Sequence, residues 1–508
     1  MDKKKVCVII LDGMPYSILN GLLNNGIMPH LEKIYNNSKR GIIQSDIPIT
    51  PIVWSSMVTG KTPFQTGFSD VRTIDKFYNI YKQSIGRKNI WAYLNEKGIR
   101  CGLFNAPYIY PVQKINGFMT TGKEGGGTNT YRDFTYPYNL KNKIFDIWGG
   151  GDKYIHHIEK EKLKNDPVSL IETVKKVNTK RVECSIYAIK KYNVDFFLGF
   201  FMETDKLFHV TWNNLVNVAS GNFEGTIEKQ LVDLFKTIDK NFHSLFSSFE
   251  ENSYKIVLSD HGFGPIEYRF KLDQWLVNNG FTKTYYNNNK PHKTKPEFKS
   301  LIKQVMPYSI GNKILRVKNY FNSFSNDEFP ETKDKSNLKN VDWKQTKAFG
   351  LTGISIYIND IRFNHSQVNS KEQYNTTVKN IVLKLKKLRL PTGELAFNNN
   401  ILTKEDFNIS GFGTNGPDII INPDLCSCNR PDFDNIVPSG SDTYFLPTSG
   451  GDQGTHRKEG IFLISGSGIN KGEILKKIDH TEFPALVFKL FNIDNKEFYP
   501  DRISRDIF

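Results

Sequence analysis

The stretch "KVCVIILDG", residues 5–13, is a short and nearly continuous apolar run that ends in an Asp-Gly turn. Apolar runs of about four to eight residues bounded by turn residues are typical of strands buried on both faces. Similar runs recur at 100–105, 194–201 and 254–259, and helical patterns such as 16–36 and 168–191 alternate with them. This alternation predicts an α/β fold in which helices cover both faces of a largely parallel central sheet.

The length and the change of composition along the chain suggest its organisation. The 508 residues are enough for one large domain with insertions or for two or three ordinary domains. After Pro265 the sequence becomes rich in Lys, Asn and Ser, and core-like apolar runs resume near residue 348. We therefore predict a catalytic core formed by 1–265 and 341–508, a Lys/Asn-rich inserted cap at 266–340 and a smaller insertion near 123–165.

The chain is basic, and much of its positive charge is concentrated in one segment. Its net charge is +15, and residues 281–350 contain 14 basic and 6 acidic side chains. Such a surplus could attract nucleic acid, an anionic membrane face or a phosphorylated substrate, although a solvated insertion explains it at least as well. No basic helix with interleaved aromatic residues accompanies it, so nucleic acid is not favoured as a partner.

The cysteines and the N-terminal segment bear on the cellular compartment. An odd, scattered set of five cysteines argues against a disulfide framework and favours a reducing compartment; they are Cys7, Cys101, Cys184, Cys426 and Cys428. The close pair Cys426 and Cys428 could hold a soft metal, but two thiols without nearby partners more often sit idle in a loop. The first apolar run is too short for a signal peptide, and no membrane-spanning segment is expected. We expect a cytoplasmic protein and leave its oligomeric state open.

Polar side chains follow the predicted strands at the point where each strand ends. Ligands of open α/β sheets gather beyond the carboxyl ends of the strands, so these side chains are candidates for a binding site. Three carboxylates and three imidazoles suit Zn²⁺ or Mn²⁺ better than Mg²⁺ or Ca²⁺, and six ligands are enough for two ions. The candidates that follow strands are Asp12, Asp205, His209, Asp260 and His261, and a sixth, His456, lies in a glycine-rich loop just before another strand.

The spacing of these candidates is compatible with chelation. Asp205 and His209 stand four residues apart and would share one face of a helix. Asp260 and His261 are neighbours, and the glycines of "SDHGFGP" permit a sharp turn that could bring both to one ion. Each motif alone is weak evidence, and their joint occurrence at strand ends is what favours a metal site.

These motifs make the chain resemble the alkaline phosphatase superfamily, and within it the type I phosphodiesterase and nucleotide pyrophosphatase family. The resemblance is carried by "VIILDGMPYSILN", "ITPIVWSSMVTGKTPFQTGFSD", "NAPYIYPVQKINGFMTTG", "FMETDKLFH", "SDHGFGP", "AFGLTGISIYIND", "PDIIINP" and "GTHRKEGIFLISGSGI". It implies a three-layer α/β/α sandwich with a mostly parallel sheet and two divalent metal ions, most simply Zn²⁺, with Mn²⁺ as the alternative. It does not cover residues 281–340 or parts of 123–165.

The resemblance also implies roles for single residues. One metal would be held by Asp205, His209 and His456, and the other by Asp12, Asp260 and His261. Matching the family's "TG" to Thr59 and Gly60 places its threonine or serine nucleophile on Thr50. Independently of the family, Pro51 suits the first turn of a helix and Thr50 its N-cap, where the helix N-terminus favours a phosphate. Ser55 is the alternative nucleophile.

The expected activity is phosphoester hydrolysis in two steps through a phospho-threonine intermediate on Thr50. The substrate would be a small phosphorylated molecule such as a nucleotide or a sugar-nucleotide. Phosphomonoesterase, phosphonate hydrolase and phosphotransferase activities of the same superfamily remain alternatives. A further alternative is a binding protein without catalytic activity that keeps the metal ions for structure or for holding a phosphorylated ligand.

The sequence departs from the family pattern where substrate would be contacted. Nucleotide pyrophosphatases place a phosphate-binding Asn directly after the aspartate that corresponds to Asp70, whereas this chain has Val71 followed by Arg72. Arg72 could clamp a phosphate, although a surface salt bridge is the simpler explanation. Trp54 could stack on a base or a sugar, and a core position explains it equally well. The chain lacks the Cys-x-Pro-x-Arg pattern of sulfatases, which argues against sulfate esters.

Overall fold

The computed structural model describes residues 4–82, 85, 89–109, 111–122, 134–285, 338–397, 400–422, 426–428, 444–448, 451–472 and 477–494. The strands in these ranges are β1 Val6–Leu11, β2 Lys39–Gln44, β3 Arg72–Ile74, β4 Ile80–Lys82, β5 Cys101–Ala106, β6 Gly117–Thr121, β7 Thr135–Tyr136, β8 Phe196–Phe201, β9 Tyr254–Leu258, β10 Gly262–Pro265, β11 Tyr268–Phe270, β12 Ala348–Gly350, β13 Ser355–Ile358, β14 Ile401–Thr403, β15 Ile419–Ile421, β16 Cys426–Cys428, β17 Phe445–Pro447, β18 Gly454–Arg457, β19 Glu459–Ser465 and β20 Ile478–Asp479. The α-helices are α1 Tyr16–Asn24, α2 Pro29–Asn36, α3 Thr50–Thr59, α4 Pro63–Thr66, α5 Ile90–Glu96, α6 Leu140–Trp148, α7 Lys160–Leu163, α8 Pro167–Tyr192, α9 Glu203–Ala219, α10 Thr226–Phe246, α11 Leu272–Asn278, α12 Lys371–Lys386 and α13 Phe483–Leu490.

The central sheet has the strand order β20-β2-β19-β9-β1-β8-β5-β6-β7. Strand β1 lies in its middle and pairs in parallel with both β8 and β9, and β5 pairs in parallel with β8 and β6. Strand β19 runs antiparallel to its neighbours β2 and β9. The apolar run within residues 5–13 therefore forms the central strand of a mostly parallel sheet.

Helices cover both faces of this sheet, as the alternation along β1 indicates. Cys7, Ile9 and Leu11 belong to one hydrophobic cluster, together with residues of α1, α2, α8, α9 and α10. Val6, Val8 and Ile10 belong to a second cluster, together with residues of α3, α5 and α13. Because successive side chains of a strand point to opposite faces, the two clusters lie on opposite sides of the sheet. The predicted α/β/α sandwich is confirmed.

Two predicted helices illustrate what the local sequence controls. The helical pattern at 16–36 forms two helices, α1 and α2, because the backbone of Gly26 is left-handed with φ of 66°. The pattern at 168–191 forms one continuous helix, α8, whose first turn is capped by Asp166 through a hydrogen bond from the Ser169 amide. Asn193, with φ of 44°, follows its last residue in the left-handed conformation.

A third hydrophobic cluster lies outside the two layers and involves smaller sheets. It contains residues of α11 and α12 and of the antiparallel sheet β12-β13-β15-β14. Strands β11, β16 and β17 form a separate three-stranded sheet, and β11 and β17 also place residues in this cluster. The cluster thus draws on 270–281 and on 338–445, which lie on both sides of the boundary at 341.

The predicted division into a core at 1–265 and 341–508 and a cap at 266–340 stays a prediction. Residues 286–337 of the cap, 123–133 of the smaller insertion and the side chains of Cys426 and Cys428 lie outside the described residues. In the part of the chain that the structure describes, no helix combines the length and the apolar character needed to cross a membrane.

Candidate active site

All seven residues predicted for catalysis and metal binding lie at one edge of the central sheet. Asp12 follows β1, Asp205 lies in the first turn of α9 after β8, and Asp260 follows β9, all at the carboxyl ends of neighbouring parallel strands. Thr50 begins α3 after β2, and His456 lies in β18 just before the antiparallel strand β19. The sheet topology therefore brings together side chains that are up to 444 positions apart.

Asp205, His209 and His456 form the first group. The Nε2 atom of His456 lies 3.0 Å from Asp205 Oδ1 and 3.2 Å from His209 Nε2, and His209 Nε2 lies 3.3 Å from Asp205 Oδ1. The predicted helical spacing of Asp205 and His209 is present, since both belong to α9. The three ligand atoms face one another closely enough to hold one ion.

The tautomers of these histidines indicate that a cation fits between them. Nδ1 of His209 lies 2.8 Å from the carbonyl oxygen of Gly454, and Nδ1 of His456 lies 2.7 Å from that of Pro48. A carbonyl oxygen only accepts, so both Nδ1 atoms carry hydrogens and donate. Burial, together with the nearby His261, lowers the pKa of His456 to about 3, so its ring is neutral and its Nε2 lone pair is directed at the other two ligand atoms. Lone pairs at this separation repel one another unless a metal ion lies between them.

The second group surrounds the hydroxyl of Thr50. Thr50 Oγ1 lies 3.3 Å from Asp12 Oδ1 and 3.2 Å from His261 Nε2, while His261 Nδ1 donates to the carbonyl oxygen of Gly262 at 2.9 Å. His261 Nε2 also lies 3.4 Å from Asp12 Oδ1 and 3.5 Å from Asp260 Oδ2. The buried Oδ2 of Asp260 accepts no hydrogen bond from the described residues, which leaves it available to a cation.

Asp205 belongs to both groups, which the sequence did not indicate. One ligand atom each from Asp12, Asp205 and His261 also lie within 4.8 Å of one another. Asp260 lies beside this set, and its Oδ1 accepts the amide hydrogen of Gly13 at 3.2 Å. The arrangement therefore offers two adjacent cation positions with Asp205 between them.

The electrostatics of the site favour added positive charge. Burial, reinforced by the nearby carboxylates Asp260 and Asp205, raises the pKa of Asp12 well above its usual range. For Asp205 burial acts in the same direction, but the ammonium of Lys206 and the imidazole of His209 outweigh it and hold the pKa well below its usual range. A divalent cation would stabilise the ionised forms of all these carboxylates.

Lys206 was not among the predicted site residues. Its ammonium group contacts the Oδ2 atom of Asp205, and its side chain is largely buried. Its position directly after Asp205, in the first turn of α9, is the only sequence signal that could have identified it. Lys206 adds a fixed positive charge beside the first group of ligands.

The backbone around Thr50 differs in one detail from the prediction. Thr50 is the first residue of α3 and Ile49 takes the N-cap position, so Thr50 lies one position further into the helix than predicted. Its side chain makes no capping hydrogen bond and instead reaches Asp12 and His261. Ser55, the alternative nucleophile, is buried along the same helix in the described structure.

The two predicted substrate contacts lie in different surroundings. Trp54 is fully buried in the second hydrophobic cluster, where its ring packs edge-on against Phe200 and stacks near Trp91 at centroid distances of 5.4 and 6.1 Å. This packing matches the core position that the sequence left open, and a contact of Trp54 with substrate stays a prediction. Arg72 begins β3 and pairs through its backbone with β4, and its contact with substrate stays a prediction.

Comparison with known proteins gives one family match. A sequence model of the family described as type I phosphodiesterase / nucleotide pyrophosphatase matches residues 6–401. No curated protein sequence gives a significant match to the chain.

Solved structures resemble the fold at low sequence identity. A substituted variant of the alkaline phosphatase PafA is 13% identical, with a TM-score of 0.54 and coverage of 100% of both chains. Phosphonoacetate hydrolase from Sinorhizobium meliloti 1021, in complex with phosphonoformate, is 10% identical, with a TM-score of 0.50 and coverage of 96% of both chains. An inactive murine ectonucleotide pyrophosphatase / phosphodiesterase 5 in complex with AMP is 14% identical, with a TM-score of 0.45 and coverage of 97% of this chain and 96% of that one. At these identities the likeness concerns the fold alone.

Proposed function

Because the chain belongs to the type I phosphodiesterase / nucleotide pyrophosphatase family and is thereby a phosphoester hydrolase, we propose that Thr50 is its nucleophile and that two divalent metal ions assist it. The observation that carries this proposal is the position of Thr50 Oγ1, 3.2 Å from His261 Nε2 and 3.3 Å from Asp12 Oδ1. No other hydroxyl of α3 among the described residues makes such contacts. Asp205, His209 and His456 would hold one ion, and Asp12, Asp260 and His261 the other.

The residues have distinct tasks in the proposed reaction. Thr50 Oγ attacks phosphorus and forms a P–O bond as the bond to the leaving alcohol breaks. The hydroxyl proton passes to solvent, because His261 Nε2 and Asp12 Oδ1, which lie within hydrogen-bonding reach of Oγ1, would hold the ion. The start of α3, with the positive end of its dipole, favours the anionic phosphoryl group. Bound Zn²⁺ or Mn²⁺ would supply Lewis acidity and lower the pKa of a coordinated hydroxyl.

The second step regenerates the enzyme. Water attacks the phosphorus of phospho-threonine 50, the bond between Oγ and phosphorus breaks, and Oγ recovers a proton. The products are the phosphoryl compound and the alcohol, and the protein is unchanged. We propose a small phosphorylated substrate such as a nucleotide or a sugar-nucleotide, in keeping with the nucleotide pyrophosphatases of the family.

We also propose the cytoplasm as the compartment. The described cysteines Cys7, Cys101 and Cys184 are free and buried in the structure. Burial raises the pKa of each of these thiols above its usual range, which keeps them in the unreactive protonated form.

Thr50→Ala tests the nucleophile. Hydrolysis of bis-p-nitrophenyl phosphate and of p-nitrophenyl phosphate is measured with Zn²⁺, with Mn²⁺ and with chelator. We expect activity to require metal, to favour the diester and to fall by about 10³-fold or more in Thr50→Ala, since the covalent step loses its nucleophile. Thr59→Ala is the matched control, because its hydroxyl bonds to the carbonyl oxygen of Ser55 at the far end of the same helix and should leave activity near that of the wild type.

The outcomes separate the alternatives. Undiminished turnover in Thr50→Ala would exclude Thr50 as the nucleophile. A native protein that purifies without transition metal and gains no activity from it would exclude the metal-assisted mechanism. Preference for the monoester would favour the phosphomonoesterase alternative. Metal binding without turnover of either ester would favour the binding protein.

A further inference from the structure

We infer that Gln453 is a positioning residue, which joins the loop before β18, the strand that carries His456, to the helix that carries His209 and so sets the geometry of the first metal group. The inference rests on the proposed function of Asp205, His209 and His456 as ligands of one ion. It concerns a residue that contacts neither ion nor substrate in this proposal and acts through the two histidines.

Helix α9 is interrupted close to His209. Thr211 has non-helical backbone angles, φ of −119° and ψ of 21°, and lies two residues after His209. In a regular α-helix the amide of Asn213 would donate to the carbonyl oxygen of His209, four residues earlier. Here that carbonyl oxygen accepts from the backbone amide of Gln453 at 2.6 Å. The Asn213 amide donates instead to the Gln453 side chain, at 3.0 Å from Oε1.

Gln453 therefore satisfies both ends of one interrupted helical hydrogen bond. Its amide takes the place of the Asn213 donor, and its side-chain oxygen takes the place of the His209 acceptor. The two residues that it bridges stand 240 or more positions earlier in the chain. A backbone amide left without an acceptor inside a helix would be costly, so the side-chain oxygen has a defined role.

The surrounding loop is held in the same place by other contacts. The carbonyl oxygen of Gly454 accepts from His209 Nδ1 at 2.8 Å, and that of Gln453 accepts from the amide of Ile266 at 3.1 Å. Asp452 binds the ammonium of Lys160 at 2.9 Å and the guanidinium of Arg269 at 3.2 Å. These contacts hold the residues on either side of Gln453, and the two hydrogen bonds of Gln453 itself join this loop to the backbone of α9.

The close approach also depends on the next residue. A Cβ atom at Gly454 would lie 2.8 Å from the carbonyl oxygen of Phe208 and 2.8 Å from the ring of Phe263. The loop can therefore lie directly against α9 only with glycine at this position. His456 follows two residues later, and its Nε2 reaches to 3.2 Å from that of His209.

Three variants of Gln453 test the inference. Gln453→Leu keeps most of the volume and removes the acceptor oxygen, Gln453→Asn keeps the amide but shortens its reach by one methylene, and Gln453→Glu keeps an acceptor at the original distance. Gln373→Leu is the matched control, since Gln373 Oε1 likewise accepts a backbone amide, that of Asn369 at 2.8 Å, before α12 and away from the site.

Three measurements are made on the full-length protein. Zn²⁺ affinity is determined by competition with a chelator, and the visible spectrum of the Co²⁺-loaded protein reports ligand geometry. The rate of amide hydrogen exchange of residues 209–217 is measured in the absence of metal. We expect Gln453→Leu and Gln453→Asn to lower the Zn²⁺ affinity of the first metal group by about 10- to 100-fold and to change the Co²⁺ spectrum. In both variants the amide hydrogen of Asn213 should exchange faster. Gln453→Glu should restore affinity, spectrum and protection, and Gln373→Leu should match the wild type.

Each contrary result has one meaning. If Gln453→Leu has the Zn²⁺ affinity and the Co²⁺ spectrum of the wild type, the inference is overturned and the proposed function stays intact. If the leucine variant does not fold, the same result in Gln453→Asn overturns the inference. Equal loss in Gln453→Glu and Gln453→Leu would also overturn it, because the acceptor oxygen would then have no role. A wild-type protein that binds neither Zn²⁺ nor Co²⁺ would overturn the proposed function and the inference together.

Discussion

Asp70 is a buried carboxyl group directly before the position where the family pattern is broken by Val71. Burial raises its pKa to about 6, against hydrogen bonds that act in the opposite direction. The hydroxyls of Thr352 and Tyr357 donate to its Oδ2 at 3.3 and 3.4 Å. Asp70 thus links the segment after α4 to β13 and to the loop before it, and it retains its proton to a higher pH than an exposed aspartate.

Asp70→Asn should therefore change the pH dependence of stability. The folded-state pKa exceeds the usual 3.8, so the stabilisation present below pH 3.8 is lost as the pH rises through about 6. This loss amounts to roughly 3 kcal/mol at most. We expect the free energy of unfolding of Asp70→Asn, relative to the wild type, to be higher at pH 7.5 than at pH 4.5. Urea unfolding of both proteins at the two pH values, with chelator present, measures this difference in the free energy of unfolding.

Asp75→Asn is the control for this comparison. Burial acts to raise the pKa of Asp75, but hydrogen bonds from the side chain and amide of Asn79 outweigh it and lower the pKa. Asp75 is therefore ionised at both pH values, and its replacement should change stability by the same amount at each. An equal effect of Asp70→Asn at the two pH values would contradict a raised pKa at Asp70.

The turn that ends β1 shows how one element positions two others. Gly13 has φ of 74°, and its amide donates to Asp260 Oδ1 at 3.2 Å. A Cβ atom there would lie 2.9 Å from the ring of Phe263 and 3.4 Å from that of His261. Gly13 therefore has two roles. It allows the left-handed backbone of the turn, and it brings Asp12 and Asp260 together.

Gly13→Ala and Gly26→Ala separate these two roles. Gly26 has a similar φ of 66° but no atom within 4 Å of an added Cβ, so its replacement should cost only the backbone strain of about 1–2 kcal/mol. Gly13→Ala should lower the free energy of unfolding by more than this, because the ring of Phe263 must move, and it should also weaken metal binding, because that ring lies beside the rings of His261 and His456. Urea unfolding and chelator competition measure both effects. Identical behaviour of the two variants would show that the contact with Phe263 has no consequence.

At the scale of the whole molecule, the candidate ligands connect distant parts of the chain. Asp12, Asp205 and His456 come from segments separated by some two hundred residues or more, and they meet only when the central sheet is complete. Without a cation, the buried carboxylates at this edge repel one another. An ion that binds only the folded state should therefore stabilise the entire sandwich.

Metal addition should raise the temperature of unfolding. At a free Zn²⁺ concentration of about 100 times Kd, the stabilisation should reach roughly 2.7 kcal/mol per site. Asp205→Asn should lose most of this response, because Asp205 offers an oxygen to both groups. Calorimetry of the wild type and the variant, with Zn²⁺ and with chelator, measures it. An unchanged unfolding temperature of the wild type would mean that no ion binds preferentially to the folded protein.

Much of the fold and the membership of the candidate site could be predicted from the sequence. Local sequence patterns are enough to predict the apolar run at 6–11, the continuous helix at 167–192 and the residues after each strand. The break between α1 and α2 was missed because a single glycine outweighed the helical period around it. The third hydrophobic cluster was missed because its strands are only three or four residues long and pair with partners far along the chain.

By itself the sequence determined the alternation of strands and helices, the family, and the candidate hydroxyl and six candidate ligands of the site. These depend on burial patterns and on neighbours within a few residues. Only the tertiary structure decided that Asp205 lies between both groups, that Trp54 is enclosed by Trp91 and Phe200, and that Gln453 completes a hydrogen bond of α9. Those facts depend on which distant segments the sheet brings into contact, and no local pattern specifies such contacts.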